Sequence, residues 1–425
     1  MSLSLDRSVR RSLSALASAY FAMGASALAV IGSIRAIADG LGIGTGAVAH
    51  LVAIYAIVFA VTAPLLQVIA SRLPQRTLLL AGLAASAAGS LASALATGYA
   101  SLFAARILVA VGGAAIAPVA SALGAAQVPR EQQGSALVRV FSGMTVASIV
   151  STPAAQWISS QFGWRFLFCA IGLLNLAVAA AVALWVKDGR RGQALSLRSM
   201  MAELRRPGIA PAIAVIFAYM AGMFASFTMI VPILQNHFGI APRWTSSALL
   251  VFGLAGLGGN VLARRLATRF DADRLIALAL AVLIAMFAAM DLLPGRPIVA
   301  LAALLVWACS HDVFMPSQQR RMAEIAPHAR SLALALNSSA LYVGMSAGSY
   351  AAGVLATRLG TGELPLVSAA VLALALLALW MSRRSLVDAV PTAHVELREV
   401  AQHHDIHDPS PPSDPLGGNS CRSRL

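Results

Sequence analysis

Apolar runs of about 20 residues recur along the whole chain, separated by short gaps that are polar and mostly basic. A run of that length crosses a ~30 Å hydrocarbon core as an α-helix. Twelve can be drawn, near 12–35, 46–70, 77–96, 99–124, 134–158, 164–186, 209–235, 243–266, 273–293, 297–319, 332–356 and 364–382. Membrane-spanning strands would be about 10 residues long and would alternate apolar with polar, a pattern the chain lacks. The expected fold is an all-α polytopic membrane protein. The longest internal polar connection, 187–208, reads KDGRRGQALSLRSMMAELRRPG and divides the chain into two six-span halves, 1–186 and 209–384. The tail, 385–425, is polar, contains PSPPSDP and reads as disordered.

Composition strengthens this picture. The 425 residues are 59% hydrophobic and 11% charged, where a soluble domain carries roughly 25% charged residues. The net charge of +14 is spread over the gaps between spans and is not gathered on one soluble face, so no nucleic-acid partner is expected. It sets topology instead. With the N-terminus cytoplasmic, Arg7, Arg10, Arg72, Arg76, Arg130, Arg191, Arg265, Arg269, Arg320 and Arg383 fall on the inner side. Near the outer ends stand Arg35, Arg165, Arg243, Arg296 and Arg358. Both termini are therefore expected inside. Residues 13–34 are too long for a signal-peptide core and are followed by further spans, so they read as an uncleaved first helix. Cys169, Cys309 and Cys421 have no metal-ligand spacing, and the tail run HHDIHD reads as filler. No metal and no cofactor are expected. The gap 64–82 (PLLQVIASRLPQRTLLLAG) matches 258–276 (GGNVLARRLATRFDADRLI) in position and character. Two six-helix repeats related in this way are a transporter pattern.

Three motifs carry a family resemblance. Residues 67–76, QVIASRLPQR, follow the second span; Arg72 and Arg76 match a G-x-L-x-D-R-x-G-R-R signature, while Gln67, Ser71 and Pro74 replace its first glycine, aspartate and second glycine. The repeat copy contributes Arg265 and Arg269. ARILVAVGGAAIAPVASAL (105–123) and SGMTVASIVSTPAAQWISSQFGWRFLF (142–168) resemble the helix-four and helix-five signatures, the latter through Pro153, Gly163, Trp164 and Arg165. The chain resembles the major facilitator superfamily, in its twelve-helix drug/proton antiporter branch, over residues 12–382. The resemblance implies a non-enzymatic transporter in the bacterial inner membrane, working as a monomer by alternating access. It implies proton-coupled efflux of drugs, sugars or nucleoside-like compounds. It makes Ser71, Arg72, Arg76, Arg265 and Arg269 a cytoplasmic gate, although Ser71 cannot supply the charge of the aspartate it replaces. Gly143 and Pro153 become packing and bending positions. An uptake carrier of the same fold, and a receptor or scaffold, remain as alternatives.

A transporter running on a proton gradient needs a group that alternates between charge states, and a buried carboxylate serves that purpose. Asp312, in WACSHDVFMP (307–316), is the acidic residue furthest inside any expected span. Pro316 lacks an N–H, which leaves the Asp312 carbonyl without its helical partner. His311 lies about 100° around the helix and is a second candidate. The alternative is that both belong to a polar cytoplasmic helix end. Arg106 is the third candidate, either facing the bundle interior or snorkelling to the outer surface. Tyr20, Tyr55, Gln156, Met220, Met223, Phe224, Phe227, Trp307 and Asn337 are candidates for a substrate cavity, each also explicable as packing. Arg35 and Asp39, four residues apart, suggest an outer surface pair.

Overall fold

The computed structural model describes residues 6–70, 73–187, 208–327 and 329–405. Among the described residues twelve long helices follow one another: α1 (Arg7–Gly32), α2 (Thr45–Ala70), α3 (Gln75–Ala94), α4 (Tyr99–Ala126), α5 (Gln133–Phe162), α6 (Trp164–Trp185), α7 (Ile209–Phe227), α8 (Pro242–Ala267), α9 (Ala272–Leu292), α10 (Pro297–Ile325), α11 (Arg330–Arg358) and α12 (Leu364–Asp405). Their starts follow local chemistry. Pro242 and Pro297 occupy first-turn positions, where a missing N–H costs nothing. The Asp271 side chain accepts from the Arg274 N–H at 2.7 Å and caps α9. Gly163, at φ 82°, turns the chain directly from α5 into α6.

Eleven of these helices are long and apolar enough to span a membrane. The remaining one, α11, is 29 residues long but carries Asn337, Ser338, Ser339, Ser346 and Ser349, because it faces other helices and a cavity. Outward faces are apolar, with Leu173, Leu184, Leu254, Leu278 and Leu374 exposed. The interior holds Ser26, Ser86, Asn175, Ser226 and Gln318, the arrangement expected where the surrounding solvent is lipid.

The halves repeat each other. α1 packs on α5 and α6 as α7 packs on α11 and α12; α3 packs on α4 and α6 as α9 packs on α10 and α12. Between the halves, α2 meets α11 and α5 meets α8. Close approach relies on related glycines: Gly143 lies on the Ala17 carbonyl of α1, and Gly344 on the Phe217 carbonyl of α7. Both first helices break at corresponding points. α1 ends at Gly32 and resumes as Ile34–Leu41. α7 ends at Phe227, resumes as Ile230–Pro232 and finishes in a wide turn over Ile233–His237. Pro232 has no N–H to bond the Thr228 carbonyl, which accounts for the second break. Neither interruption was expected from the apolar pattern.

Both ends of the described chain lie at one end of the bundle, here termed the basic end because Arg76, Arg265, Arg320 and Arg383 gather there; the other is the far end. α12 continues to Asp405, so 385–405 is helical where an irregular tail was expected. That stretch includes Ala389, Ala393, Glu396, Leu397, Arg398 and Glu399, good helix formers, whereas PSPPSDP comes later. Residues 188–207 and 406–425, most of the expected linker and the end of the tail, lie outside the described residues.

Candidate functional site

Between the halves, on the side of the basic end, is a cavity of about 520 Å³. Tyr20 and Met23 of α1, Phe59, Ala60, Ala63 and Pro64 of α2, Ala117 and Pro118 of α4, and Phe141 and Met144 of α5 line one side. Gln319 of α10 and Leu334, Ala335, Asn337, Ser338, Ser339, Leu341 and Tyr342 of α11 line the other. Phe141, Gln319 and Ser338 are exposed and form the rim at the basic end. The Tyr20 hydroxyl is held by the Ala117 carbonyl at 2.9 Å and Ser121 Oγ at 2.7 Å. Asn337 Oδ1 accepts from Gln318 Nε2 at 3.1 Å, so its NH₂ is the amide's remaining donor. No described lining residue carries a charge.

Towards the far end the halves close in register. Along α2 and α11, Phe59 stacks on Tyr342 at 4.0 Å between centroids. One to two turns on, Ser346 Oγ donates to the Ala53 carbonyl at 2.9 Å. Beyond it, His50 stacks on Tyr350 at 4.8 Å, and Gly46 meets Gly353 backbone to backbone. Along α5 and α8, Gly253 abuts the Ile149 backbone, and Gln156 accepts from Ser246 Oγ and reaches the Pro242 carbonyl. Arg35 does not pair with Asp39; it donates to Asn236, across the halves, because the break at Ser33 redirects the short helix towards the end of α7.

The charged candidates sit beside the cavity and not in its wall. Asp312 is half-buried on α10, where a Cβ at Gly256 of α8 would lie 2.5 Å from its Oδ2 and a Cβ at Gly259 would lie 2.9 Å from its own Cβ. Gly256 is one turn from Gly253, so the carboxylate lies where α8 passes from α5 to α10. It makes no ion pair with any described residue. His311 points elsewhere, its Nδ1 2.9 Å from the Tyr219 hydroxyl, and the Tyr219 ring stacks on Phe314 at 3.5 Å. Arg106 is fully buried, which removes the snorkelling alternative. Its Nη1 donates to the Ser26 carbonyl at 2.9 Å, its Cζ lies 5.0 Å from the Tyr55 ring centroid, and Nε and Nη2 have no partner among the described residues.

The remaining candidates separate. Tyr20 and Asn337 line the cavity. Tyr55 lies under Arg106, and Gln156 belongs to the far-end closure. Met220 and Met223 are buried, Met220 against Gly344. Phe227 and Trp307 join Phe252 in an edge-to-face cluster, with Phe224 against Phe227 and Phe287 against Trp307. Pro153 is buried inside α5. Among the gate residues, Arg76 donates to the Ala183 carbonyl near the end of α6, while Arg265 and Arg269 are exposed and unpaired among the described residues. Ser71 and Arg72 lie outside the described residues. The ionic network at this end joins Arg321, Asp273 and Arg383, with Arg321 Nη2 2.9 Å from Ser382 Oγ. Phe59, Phe141, Tyr342 and Gln319 escaped the sequence reading; Tyr342, a phenol within the small-residue stretch ALYVGMSAG, was the available signal.

Two pseudo-symmetric six-helix bundles around a cavity between them, sealed on one side, define a secondary transporter that works by alternating access. The chain belongs to the Major Facilitator Superfamily, which it matches over residues 14–327. It is 29% identical over 383 residues to the inner membrane transport protein YdhP of Escherichia coli (strain K12), covering 90% of this chain and 98% of that one. It is 32% identical over 384 residues to the chloramphenicol resistance protein of Streptomyces lividans, covering 88% and 97%. Among solved structures, a bacterial homolog of the human lysosomal transporter Spinster, inward-facing and unoccupied, aligns with a TM-score of 0.76 at 16% identity, covering 90% of this chain and 99% of that one. The protein is thus a multi-pass membrane transporter of small organic molecules and not an enzyme.

Proposed function

We propose that this transporter exports drug-like compounds from the bacterial cytoplasm across the inner membrane in exchange for protons, acting as a monomer. The excess of arginine at the basic end supports placing that end, and both termini, in the cytoplasm. The cavity then opens inward, ready to load substrate. The similarity to a chloramphenicol resistance protein supports the outward direction. The observation that carries the coupling is Asp312. A carboxylate at this depth without a cationic partner is costly as an anion, so gaining a proton changes how α8 and α10 can pack around Gly256 and Gly259. One proton binds Asp312 from the outer side, and the same proton leaves to the cytoplasm before the next substrate loads. Radiolabelled chloramphenicol in energised everted vesicles tests this. Wild-type protein accumulates it in proportion to the proton gradient; Asp312→Asn loses accumulation but keeps gradient-free exchange. Gradient-driven accumulation by Asp312→Asn refutes the assignment.

A further inference from the structure

The cavity that the export reading takes as the substrate site has a wall without fixed charge among the described residues, and this decides which compounds it accepts. Tyr20, Phe59, Phe141 and Tyr342 supply aromatic surface, and Asn337 and Gln319 supply amide hydrogen-bonding groups. An anion entering here would find no guanidinium, because Arg106 is not in the wall. A cation would find no carboxylate, because Asp312 faces α8. Burying a charge without a partner is far costlier than burying a dipole that is hydrogen-bonded.

Aromatic rings offer a cation one other welcome, an arrangement of faces around a common point. These rings do not form one. They pair off, Phe59 stacked on Tyr342 at 4.0 Å and Tyr20 tilted onto Phe141 at 5.1 Å. The Tyr20 hydroxyl is already engaged by Ala117 and Ser121. Asn337 has its oxygen occupied by Gln318, leaving its NH₂ as a donor. The volume of about 520 Å³ lies within the roughly 300–1,000 Å³ typical of drug-sized sites.

We propose that the transporter selects uncharged aromatic compounds bearing hydrogen-bond acceptors and rejects cations and anions of the same size, with the Phe59–Tyr342 stack, Tyr20 and Asn337 as the selecting groups. This rests on the cavity being the substrate site but not on Asp312 or on the direction of transport. Equilibrium dialysis against the full chain in nanodiscs, without any gradient, isolates it from both. Three ligands on one nitrophenyl-propanediol frame serve as probes: chloramphenicol, its deacylated trimethylammonium derivative and its succinate monoester. Chloramphenicol is expected to bind at least about tenfold more tightly than either ion. Gln319→Glu, at an exposed position with no hydrogen bond to any described residue, is expected to raise affinity for the ammonium probe about tenfold. Tyr342→Ala is expected to weaken chloramphenicol binding by a similar factor. Equal binding of the ammonium probe and chloramphenicol to wild type, no effect of Gln319→Glu on the charge preference, or no binding of any probe would each overturn the proposal.

Discussion

Closure of the far end depends on two backbones meeting at Gly46 and Gly353. A Cβ at Gly353 would lie 2.5 Å from the Gly46 carbonyl oxygen and 2.7 Å from His50 Nε2; one at Gly46 would lie 2.5 Å from the Gly353 oxygen and 2.7 Å from Thr357 Cγ2. Close carbon–oxygen contacts settle near 3.3–3.6 Å, so a side chain here must part α2 and α11 by about 1 Å. Neither obstacle to a Gly353 side chain is the free end of a flexible chain, because one is backbone and the other a ring stacked on Tyr350. Overpacking of this kind costs about 1–3 kcal/mol, and Gly353→Leu belongs at the upper end, a shift of about 150-fold against the far-closed state. Double electron–electron resonance reads the outcome. Labels at Gly44→Cys and Leu359→Cys, both exposed and on opposite sides of the seam, are introduced after Cys169, Cys309 and Cys421 are replaced by serine. Gly353→Leu should move the distance distribution to a longer population. Gly258→Leu, where a Cβ meets nothing within 4 Å, should leave it unchanged. A folded Gly353→Leu protein with the unaltered short distance would refute the claim that this contact holds the far end shut.

Two further outcomes follow from the buried charges. Arg321 is 3% exposed and paired with Asp273, so Arg321→Ala should destabilise the C-terminal half by about 3–5 kcal/mol, measured by unfolding in detergent; a change below 1 kcal/mol would show the pair to be idle. Arg106 is buried without an acidic partner among the described residues, so Arg106→Met should leave thermal stability equal or higher while lowering transport, since replacing a poorly compensated buried ion by an apolar group is often neutral or favourable. A marked fall in melting temperature would instead make Arg106 a structural pillar.

Much of the fold was legible because lipid imposes a coarse rule: about 20 apolar residues, then a gap. The gaps near Arg72–Arg76, Arg265–Arg274 and Arg320–Arg330 mark the basic end in the sequence itself. Asp312 was legible for the same reason, as a charge at the wrong depth. Helix faces were not, because in a buried helix every side is apolar and periodicity carries little signal. Met220 and Met223 illustrate this. Their stretch reads as a cavity wall, yet both are buried, and Gly344 lets α11 come so close to α7 that Met220 packs in the helix interface. Phe59 and Tyr342, almost 300 residues apart, acquire their role only when α2 and α11 meet. The break at Thr228 had a visible cause in Pro232, while the one at Ser33 follows only from its symmetry with the first.

The separation of Asp312 from the cavity constrains how coupling can work. The cavity lies among α1, α2, α4, α5, α10 and α11, while the carboxylate lies between α8 and α10. The two do not share one space, so the proposed exchange would not proceed by simple displacement. The connection runs through α8, whose Gly253 touches Ile149 of α5 and whose Gly256, one turn later, faces Asp312. α5 in turn carries Phe141 and Met144 of the cavity wall. Under the proposed coupling, a charge change at Asp312 would reach the cavity by shifting how α8 bears on α5, along the same seam that Gln156 and Ser246 close further out. In the proposed exchange of one proton for one uncharged substrate, the proton is the sole charge moved per cycle. The membrane potential then adds about 2.3 kcal/mol per 100 mV to the driving force, beyond what the pH gradient supplies.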